Sequence, residues 1–268
     1  TDYDDFEIII VDNESKEKAT LEYFNEIREI PRVKILRIEG EFNYSKLNNL
    51  AVKEAKGEYL VFMNNDLEII NSYWLKEMIS TFYDSNIGIV GAKLYYKNDK
   101  IQHAGCVTGI YGVAGHIHRH WDKKSPGYFG RLLLQHEVSA VTGACLAISK
   151  EIFEEVSGFD EEKLKVSYND VDLCLKVKNK GYKIIFNPNI ELYHLESISR
   201  GQDIEKEKRE LNRTERREMI SRYGKNLKYD PYYNPNLSLD NEDLTYSFEP
   251  RIIKPWRDYI EFICPFHR

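Results

Sequence analysis

The chain has 268 residues, 42% of them hydrophobic and 13% aromatic, which supplies enough apolar mass for one main core. Its 38 basic and 44 acidic side chains leave a formal net charge of -6, which argues against a general affinity for nucleic acid and means that any phosphate is bound locally. Cys106, Cys145, Cys174 and Cys264 include no Cys-x-x-Cys pair, so neither a disulfide framework nor a structural zinc site is expected, and no apolar run approaches the roughly 20 residues of a membrane span. A soluble chain in the reducing cytoplasm follows, with peripheral contact at the inner face of the membrane left open.

Taken in order, the β-branched run from Phe6 to Val11 predicts a buried strand that ends in the polar Asp12-Asn13-Glu14-Ser15. A helix is predicted over 16–30, a strand over 34–38, and a helix over 45–56, where Leu47, Leu50, Ala51 and Ala55 share a face before Gly57. Glu58 to Met63 reads as another buried strand running into Asn64-Asn65-Asp66. This alternation predicts an α/β fold with a mainly parallel sheet flanked by helices. Residues 92–135 break the pattern and read as loops and short strands rich in glycine, histidine and aromatics. Strand character resumes at 138–149, followed by a short helix at 150–156, a helix at 170–180 and a last strand at 182–186. The charged run 203–223 predicts a solvated helix, and the proline-pinned segment after it an extended tail.

In open α/β sheets ligands gather at the carboxyl ends of strands, which directs attention to four clusters. Asp12 ends the first strand, where it can accept the ring N–H of a uracil or thymine; capping the next loop explains the same residue. Asn64, Asn65 and Asp66 end another strand, and a carboxylate there suits Mg²⁺ or Mn²⁺, although such triplets also make ordinary turns. Asp170 and Asp172 open a helix, where the macrodipole alone favours them, yet one of them is placed to take a proton from a sugar hydroxyl. His194 and Arg200 follow the last strand, as a metal ligand and a partner for diphosphate respectively. His116, His118 and His120 alternate as if on one strand face, but zinc needs a further ligand.

The ordered series "IIIVDN", "NNLAVKEAKGEYLVFMNND", "VTGACLAISKEIFEEVSGFDE" and "YNDVDLCLKVKNKGYKIIFNPNIELYHLESISRG" resembles glycosyltransferase family 2, in particular its rhamnosyltransferase-like and O-antigen-type members. The resemblance covers about residues 5–201 and implies the GT-A nucleotide-diphospho-sugar transferase fold over 1–201, with a C-terminal helix and tail over 202–268. The family's usual first strand is not seen before Thr1, so that strand is expected to be lacking. By resemblance, Asp12, Lys46, Asn48, Asn64, Asn65 and Arg200 meet the nucleotide, Asp66 and His194 hold Mn²⁺ or Mg²⁺, and Asp170 is the catalytic base. The family's first carboxylate is an amide in both motifs here, Asn64 and Asn169.

The expected activity is inverting transfer of a sugar from a UDP- or dTDP-linked donor to a glycan or lipid-linked acceptor, as in cell-surface polysaccharide assembly. The excursion would form the acceptor side through His116, Arg119, Trp121 and Tyr128, whose aromatic faces suit sugar rings. A non-catalytic nucleotide- or sugar-binding domain of the same fold is the alternative; a nucleotidyltransferase is disfavoured because no glycine-rich phosphate loop follows the first strand. Helix geometry separates the two aspartates, because positions 170 and 172 point about 200° apart. Asp170 lies on the side of the Leu173, Cys174 and Val177 stripe, and Asp172 is expected to project outward or cap the first turn.

Overall fold

The computed structural model describes residues 1–195 and 205–252, with only the backbone of 205–208. The β-branched Ile8–Asp12 run forms strand β1, helix α1 spans Lys18–Ile27, and strand β2 spans Val33–Arg37. β1 and β2 pair in parallel as a sheet of their own. Helix α2, Tyr44–Glu54, starts where the Asn43 side chain accepts the Lys46 N–H, satisfying one of the donors a helix start leaves unpaired.

The central sheet takes β3 (Tyr59–Met63), β4 (Leu67–Ile69), β5 (Ile87–Tyr95), β6 (Ile101–His103), β9 (His136–Glu137), β10 (Cys145–Ser149) and β11 (Lys183–His194). Its main path runs β3-β10-β5-β11-β4. Here the expectation of a mainly parallel sheet needs correcting. Only β5 and β11 run parallel, while β10 lies antiparallel to both β3 and β5, and β4, β6 and β9 also pair antiparallel. The reason is the excursion: it carries the chain back across the sheet, so β10 enters from the opposite end. Within it, β7 (Cys106–Thr108) and β8 (Ala114–His116) form a small hairpin.

β5 is buried along all nine residues and covered on both sides, and its one charged side chain, Lys93, donates to the Leu132 carbonyl at 2.9 Å. Ile89 and Tyr95 join a cluster with Val52 of α2, Phe153 of helix α4 (Lys150–Glu155), and Leu173, Cys174 and Val177 of helix α5 (Asn169–Asn179). Val90, Ala92 and Leu94 join a second cluster with Trp74, Leu75 and Met78 of helix α3 (Trp74–Ser80). The charged run becomes helix α6, Glu205–Tyr223, and its Met219 is buried in the first of these clusters, as is Leu227 beyond it. α6 therefore closes one wall of the core, and the expected boundary at residue 201 falls outside the described residues. Among the described residues, no helix is long and apolar enough to cross a membrane.

Candidate active site

Two acidic centres sit on either side of one turn. In the first, β3 delivers Asn64 to Asp66 and the end of β11 delivers His194, because β4 pairs antiparallel with that end: Leu67 stands opposite His194. His194 Nε2 lies 3.1 Å from Asp66 Oδ1, and the Asn64 amide lies 3.3 Å from the same nitrogen. Gln102 fixes the imidazole, its Oε1 standing 2.7 Å from His194 Nδ1 while its Nε2 donates to the His194 carbonyl at 3.4 Å. With the proton on Nδ1, the Nε2 lone pair faces the carboxylate, an arrangement a shared cation relieves. A 3.1 Å separation matches the edge of an octahedron with ligands at about 2.1 Å, roughly 3.0 Å, and the oxygen and imidazole donors suit Mn²⁺ or Mg²⁺. A ligating histidine that donates its other N–H to a fixed acceptor is the usual support for such a site.

The second centre is the start of α5. Tyr168 precedes it with φ 60°, in the left-handed region, so that Asp170 turns back toward the loop after the excursion. Asp170 Oδ2 accepts the Gly143 N–H at 2.9 Å and Oδ1 accepts the Val171 N–H at 2.8 Å. Burial raises its carboxyl from the ordinary aspartate value in spite of these bonds. Asp170 lies in a cleft of about 260 Å³ with Cys106, His116, Ser167 and Tyr168 in its walls.

The turn from Thr142 to Ala144 joins the centres. Ala144 offers its carbonyl to the Asn64 N–H at 2.9 Å, Gly143 gives its N–H to Asp170, and Tyr44 of α2 donates its hydroxyl to the Gly143 carbonyl at 3.0 Å. A Cβ at Gly143 would meet Tyr44 Oη at 3.3 Å and Asp170 Cβ at 3.4 Å, so this close approach favours glycine.

Asp172 departs from expectation. It is fully buried rather than turned outward, accepting Tyr223 Oη at 2.8 Å and Arg222 Nη1 at 3.1 Å from α6, with Lys176 Nζ at 3.5 Å. The 200° separation held. What lies on the far side is α6 instead of water.

Asp12 is buried at the end of β1, accepting the Ser15 N–H at 2.8 Å and Arg37 Nη1 at 2.5 Å. Burial raises its carboxyl, but the Ser15 bonds and the Arg37 guanidinium outweigh that and hold it low. Lys46 is exposed, Asn48 donates to the Tyr44 carbonyl within α2 at 2.8 Å, and Asn65 is exposed. Arg200 lies outside the described residues. His116 lines the Asp170 cleft, whereas Arg119 donates to Tyr96 Oη at 2.6 Å and Trp121 packs edge-on against His118 with centroids 4.9 Å apart. His118 and His120 both take left-handed backbone, φ 63° and 65°, so the three histidines do not share a strand face. His118 Nε2 accepts the Tyr128 N–H at 2.9 Å instead.

Residues 1–157 match the family model described as glycosyl transferase family 2. The chain belongs to that family. It is 47% identical over 248 residues to the y4gI protein of Sinorhizobium fredii, and 35% identical over 245 residues to the O-antigen biosynthesis protein RfbC of Myxococcus xanthus. These alignments cover 92% and 91% of the chain but only 27% and 19% of the relatives, so the chain spans about a quarter or less of their length. A structure of GalNAc-T7 with UDP, GalNAc and Mn²⁺ superposes with a TM-score of 0.58 at 16% identity, over 72% of this chain and 38% of that one. This member of family 2 therefore has the GT-A fold, in the mixed-sheet form described above.

Sequence reasoning passed over Gln102, His103, Arg37 and the Thr142–Ala144 turn. Gln102 and His103 are a polar pair within 101–110, a stretch buried throughout. A glutamine and a histidine side by side, in a run otherwise apolar but for Thr108, are the signal that marks them. Arg37 gives less notice, because a lone arginine ending a strand has no pattern.

Proposed function

We propose that this family 2 member is an inverting glycosyltransferase that uses a UDP- or dTDP-linked sugar and builds a cell-surface polysaccharide or lipid-linked glycan at the cytoplasmic face of the membrane. The observation that carries the reading is the shared turn: Thr142–Ala144 joins the strand end that bears Asp66 to Asp170 through backbone hydrogen bonds, so the candidate metal pair Asp66–His194 and the candidate base flank one turn. Asp66 and His194 would hold Mn²⁺ or Mg²⁺, which when bound offsets the charge of a nucleoside diphosphate. Asp170 takes the proton of an acceptor hydroxyl as its oxygen bonds to the anomeric carbon and the bond from that carbon to the diphosphate oxygen breaks. A carboxyl raised by burial is a better base for this task than an exposed one. Asp12 would face the base, with Asn64 near the ribose. The O-antigen function named for the Myxococcus relative and the UDP and Mn²⁺ of the GalNAc-T7 structure support this choice of donor, metal and acceptor.

The test is release of nucleoside diphosphate by the full chain from a panel of UDP- and dTDP-sugars, with Mn²⁺ and with EDTA, alongside NMR of the product linkage. Metal-dependent release with an inverted anomeric centre is expected. Release of pyrophosphate, or retention of configuration, would overturn the reading.

A further inference from the structure

Next to Asp170, and built from residues that the proposed chemistry does not use, lies a pair of imidazoles, His103 buried and His116 half-buried. His103 Nδ1 and His116 Nδ1 are 2.8 Å apart, and the Cys106 sulfur lies 3.9 Å from each. Three such donors invite a metal reading. The surroundings of His103 argue otherwise: its Nε2 accepts two backbone N–H groups, from Gly105 and from Thr142, both at 3.3 Å. A nitrogen that accepts two donors carries no proton, so neutral His103 keeps its proton on Nδ1. Metal ligation through Nδ1 would leave both nitrogens stripped, and burial also keeps the Cys106 thiol protonated.

We propose that His103 and His116 form a tautomer-locked pair that presents His116 Nε2–H as a hydrogen-bond donor to a sugar hydroxyl beside Asp170. His103 donates from Nδ1 to His116 Nδ1, so the proton of His116 sits on Nε2, the nitrogen on the far side of the ring. That atom has no hydrogen-bond partner among the described residues, and the half-buried ring that carries it lines the cleft. The cleft thus offers a donor from His116 and an acceptor from Asp170. These complement an acceptor with two neighbouring hydroxyls: one gives its proton to Asp170, and the other receives the N–H. His103 is a positioning residue, held by Thr142, whose turn also positions Asp170. The recognition role rests on the glycosyltransferase reading, while the tautomer lock does not.

Two measurements on the full chain test it. Histidine-resolved ¹⁵N NMR at neutral pH is expected to show His103 protonated on Nδ1, the less common form of a free imidazole, and His116 on Nε2, both unchanged by equimolar Zn²⁺. A proton on His103 Nε2, or stoichiometric Zn²⁺ binding that Cys106→Ser abolishes, overturns the lock. Saturation-transfer NMR with methyl glycosides of hexoses and of rhamnose, with Mg²⁺ and UDP present, needs no turnover. Binding is expected to weaken about tenfold in His116→Phe and to survive in His116→Gln, which keeps a donor near the same place. Equal binding by all three proteins, or no binding by the wild type, overturns the recognition role. A chain that binds these glycosides in the expected pattern yet transfers no sugar leaves this proposal standing and sinks the transferase reading instead.

Discussion

The two acidic centres are built in opposite ways. Asp66 and His194 stand at strand ends, with side-chain exposures of 18% and 14%, and are positioned by other side chains, Asn64 and Gln102. Asp170 opens a helix, is gripped by backbone N–H groups, and has a neighbour two residues on that is locked under α6. A centre that exchanges a metal needs access and adjustable ligands. One that moves a proton needs a fixed carboxyl with its affinity raised by burial. If this contrast is right, damage to the first centre is read in metal affinity and damage to the second in rate.

The largest expected effect is on Asp170→Asn, which should lose about 10²- to 10⁴-fold in transfer rate while binding UDP and Mn²⁺ normally. Loss of nucleotide binding in that variant would erase the distinction between the centres. Asp172→Asn should leave the chemistry largely intact and destabilise the fold by about 2 kcal/mol, more than the roughly 1 kcal/mol of a helix cap, because the buried acceptor of Tyr223 and Arg222 loses its charge while Arg222 keeps Asp160 and Glu218. Chemical denaturation reads this directly, and a dead but fully stable variant would reverse the two roles. Gln102→Leu should weaken Mn²⁺ affinity about 10- to 100-fold by releasing the His194 ring, as measured by calorimetry, with kcat at saturating metal little changed.

The smallest effect is on acid stability. Burial lowers the affinity of His103 for protons, and that of His116 and His118 to about 4. Folded values below the unfolded value of about 6.5 mean that the unfolded chain binds more protons between these limits. Their contribution is complete above about pH 6.5 and is lost as pH falls toward 4. The melting temperature should decline across that window, less so in His116→Gln; an identical decline would remove His116 from the account.

The same contrast explains what could be read in advance. β1, α2, β3, α4 and α5 followed from periodicity and caps, because each has one apolar face or a continuous β-branched run, whereas α6 was legible as a charged helix but not as a wall of the core, which its buried Met219 makes it. The polar residues at their ends were therefore legible too: Asp66 and His194 do meet, and Asp170 does face a cleft. The pairing directions were hidden, because the turn residues of the excursion do not show where its strands land. The span 138–149 looked like one strand, yet only Cys145–Ser149 is, and Thr142–Ala144 is the turn that joins the centres. Asp172 was misplaced because a helix wheel separates two faces without showing what covers the second.

The tie between Asp172 and Arg222 spans 50 positions of chain. During synthesis the helix that bears Asp170 leaves the ribosome well before its covering cation, with Asp172 meeting only Lys176 from its own helix. Packing of that helix start can finish only once α6 has emerged and docked, so the cleft is assembled late, after the sheet beneath it has had time to form.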